Sequence, residues 1–376
     1  MEREGVLRME EEERQAEHLA LAALLRVNGI GSAAAGKLRE AFGSARAALH
    51  APAEAFAQHG LPPKLARDVQ KAQKGAEAYE AQILETCERG SIRMTALGDD
   101  DYPPVLAEIF SPPALLYYRG TLIPDAQCLA MVGSRRFSRY GEGVAKSFAE
   151  TFARAGFTVV SGAARGIDSA SHKGALAAGR TVAVLGCGVD VAYPPENRRL
   201  LAEIAESGAV LSEYAPGTPP LPAFFPARNR IISGLSRGVI VIEAAEKSGS
   251  LITAGMAVQE GRDVFAVPGS IYSPTSMGCH RLIQQGAKLV TSAADVLEEY
   301  GVDPPKKPKQ KAPAMSKEER AVYQILSYEH PLTIDEIIVS LDGGDAASLS
   351  FVLLQMELKG LVEENDTHGY MRAKRE

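Results

Sequence analysis

Between residues 128 and 300 the chain alternates short apolar, β-branched runs with amphipathic segments, and few architectures accept that alternation. The runs fall at 128–132, 157–160, 181–185, 209–211, 238–242, 263–267 and 287–290. Segments of helical spacing, such as 144–155 and 254–259, lie between most of them. Strands that are apolar on both faces must be covered on both faces, with helices as the crossovers. The pattern predicts an open, doubly wound α/β domain with a mostly parallel sheet.

The flanks read differently. Residues 1–95 are rich in Ala, Leu, Glu and Lys, with apolar positions at helical spacing in Leu19, Leu21, Leu24 and Leu25, then Leu38, Phe42 and Leu49. Gly29-Ile30-Gly31 suits the turn of a helix-hairpin-helix unit, whose backbone N–H groups can meet a DNA phosphate. Few basic residues lie nearby, Lys37, Arg39 and Arg46 among them, so a plain structural hairpin is the preferred reading. Asp99, Asp100, Asp101, Pro103 and Pro104 mark a break, and the α/β domain is taken as 96–303. A Pro- and Lys-rich stretch at 304–314 predicts an extended linker. Residues 315–376 read as three helices and a short hairpin, an order that resembles a winged helix. This last segment holds 6 Lys+Arg against 12 Asp+Glu. Duplex affinity rests on cationic contacts, so it reads as a protein-interaction or packing module.

Charge and cysteine usage narrow the class further. A net charge of −6 excludes a histone-like or basic-tail binder but not a local basic groove. Cys87, Cys128, Cys187 and Cys279 lie far apart and form no C-x-x-C, so neither a disulfide framework nor a zinc site is expected. No metal and no cofactor is expected. Glu10 to Glu13 occupy the place where a signal peptide needs an apolar core, and no stretch approaches the ~20 apolar residues of a membrane span. A cytoplasmic protein without membrane contact is expected.

Ligands of open α/β sheets bind outside the carboxyl ends of the strands. The loops there are 133–138, 161–168, 186–190, 212–214, 243–250 and 268–270, and they are rich in Gly, Ser, Arg and Lys, Ser248 among them. They predict a phosphate-binding rim. No G-x-x-x-x-G-K-S/T is present, and Gly186-Cys187-Gly188 lacks a third glycine, which lowers ATP hydrolysis and NAD chemistry. Phe224-Phe225-Pro226-Ala227-Arg228-Asn229-Arg230, read as sitting just before a helix, combines rings that stack on bases with guanidinium groups that hold phosphates. His172, four residues after Asp168, could form an acid–base pair, but packing is the preferred role. Glu213 and Glu243 are expected to order the basic loops. No catalytic residue is assigned. The competing enzyme reading, a nucleoside monophosphate hydrolase type of Rossmann-like protein, would use Glu243 or Glu213.

The segments Gly133-Ser134-Arg135, Ser161 to Asp168, His172, Ala183 to Gly186, Phe225 to Arg230, Ser248 to Ala254 and Val267-Pro268-Gly269 resemble the DNA-processing protein A family, DprA or Smf. The likeness is continuous from about residue 95 to 300. The N-terminus resembles that family's sterile-alpha-motif-like domain and the C-terminus its variable winged-helix domain. The resemblance implies an extended Rossmann-like fold that binds single-stranded DNA without catalysis. It also implies protection of incoming strands in natural transformation, loading of RecA, and a homodimer formed through the Rossmann-like domain. By motif, Arg135, Ser161, Gly162, Arg165, Arg228, Asn229, Arg230, Lys247 and Ser250 would line the DNA pocket.

Overall fold

The computed structural model describes the backbone of residues 2–305, 315–328, 330–341, 345–365 and 368–373, with side chains from residue 11 onward. All of the predicted linker except Pro304 and Pro305 lies outside the described residues. The chain forms two compact units that divide after Pro305.

The first unit is built on a nine-stranded sheet. Its strands are β1 (Arg93–Ala96), β2 (Leu115–Gly120), β3 (Cys128–Val132), β4 (Thr158–Ser161), β5 (Thr181–Val184), β6 (Ala209–Ser212), β7 (Gly238–Val241), β8 (Asp263–Ala266) and β9 (Lys288–Leu289). They lie in the order β1-β2-β6-β5-β4-β3-β7-β8-β9. From β6 to β9 every pairing is parallel, whereas β2 runs antiparallel to both β6 and β1. β3 is the middle of the parallel set, with Leu129 opposite Val159 on one side and Gly238 on the other, and all its residues are buried. That burial on both faces is why its sequence is an unbroken apolar run.

β1 and β2 extend the sheet beyond the runs seen in the sequence. β2 alternates as a strand must: Leu115 and Tyr117 join one core, Leu116 and Tyr118 the other. The first of these cores also contains Leu19, Leu24, Leu38, Leu49 and Phe56 from the N-terminal helices. The helical segment therefore packs on the sheet through a shared core that crosses the boundary placed near residue 95. The acidic break has a structural use. Asp99 Oδ2 accepts hydrogen bonds from His18 Nε2 at 2.6 Å and Ala96 N at 2.8 Å, tying the first helix to the end of β1. In the Gly29-Ile30-Gly31 turn Ile30 is buried, and Ser32 Oγ accepts from Ala114 N at 3.1 Å, which packs the hairpin against the entry to β2.

All four cysteines are buried, and burial pushes their thiols up, to about 11 for Cys87 and Cys187 and about 12 for Cys128 and Cys279. They behave as small apolar residues. Among the described residues no helix is long and apolar enough to cross a membrane.

The second unit is a winged helix: helices Lys317–Ile325, Ile334–Ser340 and Ala346–Leu358, then the antiparallel hairpin Val362–Glu364 with Tyr370–Arg372. Ser316 and Thr333 start the first two helices through capping boxes with Glu319 and Glu336, and Asp345 caps the third. Val322, Leu326, Ile337, Leu349, Leu353 and Met356 form its own core.

Candidate nucleic-acid interface

The strand order reverses at β3: β4, β5 and β6 follow to one side, and β7, β8 and β9 to the other. A crevice at such a switch point is the usual ligand site of an open α/β sheet. Here it is an open groove of about 880 Å³. Its walls come from the loops after β3, β4, β7 and β8 and from the helix Phe224–Gly234. The aromatic–arginine run therefore does not precede a helix, as the sequence suggested. It is the helix, with Pro226 in its first turn, where proline costs no hydrogen bond.

Arg228 is the hub. Only 5% exposed, it donates through Nη1 to Gly162 O at 2.7 Å and to Val184 O, bridging the ends of β4 and β5. Gly162 is what permits this seat, because a Cβ there would lie 2.5 Å from Nη1 and 2.6 Å from Nη2. Asp168 is buried beside it. Burial raises the Asp168 pKa and lowers that of Arg228, and in each case the partner's charge opposes the shift. Gly166, at φ +84°, lets the chain pass close to the backbone of Ser134 and Arg135, where a Cβ would lie only 2.9 Å from the Arg135 Cα.

Arg135 is exposed at the mouth of the groove, its guanidinium carbon 5.9 Å from the centre of the Phe225 ring. Phe225 also meets Tyr193 at 5.3 Å, and behind them Phe224 stacks on Tyr214 at 4.1 Å. Arg135, Phe225, Arg228, Asn229, Ser248 and Ser250 all line the groove. Gly162 and Arg165 line a narrow pocket of about 30 Å³ that also takes in Arg135, Phe225 and Arg228. Arg165 there pairs with Glu196 at the surface.

Three predicted residues stand apart from the groove. Ser161 is fully buried, its hydroxyl donating to Met131 O at 2.6 Å. Arg230 turns to Glu213 in a two-pronged pair at 2.6 and 2.9 Å. Lys247 is exposed on the loop after β7. Tyr193, Ile252 and Thr275 line the groove without having been picked out. Tyr193 lies nine residues past the end of β5, and no local pattern signals it.

The two carboxylates considered for catalysis are both engaged. Glu243, 3% exposed, accepts from Ser138 N at 2.9 Å and Ser138 Oγ at 2.6 Å, while its carbonyl accepts from Ser134 N at 2.7 Å. It thereby fixes the loop that carries Arg135 and Arg136. Glu213 holds Arg230.

His172 does not pair with Asp168. Thr181 Oγ1 donates to Val159 O, so it accepts from His172 Nδ1–H at 2.7 Å, and Nε2 is buried without a partner. Burial, with Arg228 adding to it, pulls the imidazole pKa down to about 3. The unfolded chain binds this proton near pH 6.5 and the folded chain only near 3, so stability falls on acidification across that window, by about 1.4 kcal/mol per pH unit. Asp168 acts oppositely near the foot of the window, because its raised pKa favours the folded state at low pH. Urea unfolding of wild type and His172→Asn between pH 7 and 4.5 is expected to give a flatter pH dependence for the variant. Parallel slopes would overturn the assignment.

Comparison with known proteins places these features. A family model described as DNA recombination-mediator protein A matches residues 93–301, and a DprA winged helix domain model matches 305–365. The DNA processing protein DprA of Streptococcus pneumoniae is 52% identical over 204 residues, which span 54% of this chain and 72% of that protein. The crystal structure of DprA from that organism superposes with a TM-score of 0.60 at 44% identity, covering 66% of this chain and 86% of the other. DNA processing protein A from Helicobacter pylori, solved to explain its single-stranded DNA binding mode, gives a TM-score of 0.51 at 29% identity, covering 55% and 95%.

Proposed function

This chain belongs to the DNA recombination-mediator protein A family, and on that footing we propose that it binds single-stranded DNA in the switch-point groove without catalysing a reaction. The observation that carries the reading is the Arg135–Phe225–Tyr193 cluster at the groove mouth, next to the buried cation of Arg228. Rings give each base a stacking face, and guanidinium groups meet the phosphates between them. The groove is also open and, at about 880 Å³, roomy, which suits a strand better than a single nucleotide. The engaged state of Glu213 and Glu243 supports a binding role over a hydrolytic one.

In this reading the protein acts in the cytoplasm, protects incoming strands in natural transformation and loads RecA onto them. It works as a homodimer through the Rossmann-like domain. Val258 and Leu289, both exposed near the β8–β9 edge of the sheet, support that last element.

The test is binding of an end-labelled poly-dT strand and a matched duplex across a salt series. The label sits on the DNA because the chain has no Trp. Tight, salt-sensitive binding to the strand with weak duplex binding is expected. Equal or absent binding, together with turnover of a nucleoside monophosphate that Glu243→Gln abolishes, would replace this reading with the enzymatic one.

A further inference from the structure

The third helix of the winged-helix unit, Ala346–Leu358, contains no Lys or Arg, and Glu357 is its one charged residue. A helix that docks in a DNA groove leads with Arg or Lys on its outer face, and the one amide here, Gln355, is only half-exposed. Here Leu349, Leu353 and Met356 fill the core, while the outer face carries Phe351, 61% exposed, Leu354, 52%, and Leu358, 81%. Ala347 is exposed on the same line. Positions 347, 351, 354 and 358 step by four, three and four residues, the spacing of a seam between two packed helices. At 1.5 Å per residue the stripe runs for about 17 Å. A helix that is apolar on both sides belongs where both sides are covered.

Charge decides what covers it. Residues 315–376 carry twice as many acidic as basic side chains, 12 against 6. Glu336 and Asp345 are occupied as caps and Glu319 is held by Lys359, but Glu318, Asp335, Glu357 and Glu363 are exposed. Glu357 lies beside Leu354 and Leu358 on the helix itself. A second copy of this unit would bring like charge against like charge, and a nucleic acid or an anionic bilayer would be repelled. We infer that the Ala347–Phe351–Leu354–Leu358 face is a docking site for an amphipathic helix of a partner protein, apolar along its seam and flanked by Lys or Arg. Such a helix buries the stripe and meets Glu357 beside it and the net acidic charge of the unit, the helix-against-helix mode of recognition. The winged helix would then recruit a protein while the groove holds the strand.

The experiment uses the full chain and labelled synthetic peptides of a few heptads. One has Leu at the seam and Lys elsewhere, a second replaces the Lys by Glu, and a third keeps the Lys but has Ser at the seam. Binding of the first peptide alone is expected. Phe351→Ser combined with Leu354→Ser is expected to weaken it roughly tenfold or more, and Glu357→Lys to weaken it to a smaller extent. Both changes are on exposed side chains, and an unchanged urea midpoint confirms that the unit is folded. Comparable binding of all three peptides, no binding, or affinity unmoved by the double variant would overturn the proposal. So would a change in the sedimentation of the chain itself on Phe351→Ser and Leu354→Ser, which would make a second copy the occupant.

Discussion

Arg228→Met is expected to remove about 3–5 kcal/mol of stability, a large share of the ~5–15 kcal/mol that holds a typical domain together. The side chain is 5% exposed, and its guanidinium is the donor for Gly162 O and Val184 O. Methionine fills a similar volume but leaves both carbonyls without that donor, each a loss of about 1–3 kcal/mol where water cannot replace it. It also removes the cation that favours the ionised form of buried Asp168. Urea unfolding reads the effect as a lower midpoint with an unchanged slope. Adding Asp168→Asn to the Arg228→Met background should recover part of the loss, because the unbalanced carboxylate is gone. A single variant as stable as the wild type would show that the buried cation does not join the ends of β4 and β5. Loss of DNA binding in Arg228→Met is therefore not informative by itself, since it mixes a missing contact with a damaged scaffold.

The same residue explains how far the sequence could be read. The parallel core was legible because strands buried on both faces must be continuously apolar, as β3 is from Cys128 to Val132. β1 was not, because Arg93–Ala96 is four residues long and follows a helix directly, too short for alternation to appear. β2 has a clear apolar run but sits behind Pro112 and Pro113, ahead of the alternating region that begins at residue 128. At the site, residue types were legible and directions were not. With the run 224–230 read as preceding a helix, Arg228 and Arg230 are equivalent cations. On a helix, residues two apart are turned by about 200°, so only one of them can face the groove. Arg228 goes under Gly162, and Arg230 goes to Glu213. Ser161 fails for a related reason: as the last residue of β4 its side chain points into the sheet packing, where its hydroxyl donates a hydrogen bond to Met131 O. Tyr193 reaches the groove only through the path of the chain after β5, which no local pattern encodes.

Because Arg228 and Arg230 are tied into the fold, the informative charge is Arg135, which is exposed and stands over the Phe225 ring. Arg135→Glu is expected to leave the urea midpoint in place and weaken binding of a poly-dT strand by about ten- to a hundredfold at low salt. It should also reduce the salt slope by about 0.7, the share of one phosphate contact on a single strand. Phe225→Ala is expected to lose affinity by a different route. It removes a stacking surface worth about 1–3 kcal/mol per base and leaves the salt slope as it was. The two variants therefore separate in a plot of affinity against salt: one line is lower and flatter, the other lower and parallel. If both lines were parallel, Arg135 would be positioning the ring rather than meeting a phosphate. If neither variant moved the line, the strand would not run through the switch-point groove, and the place to look next would be the exposed Lys247 loop after β7.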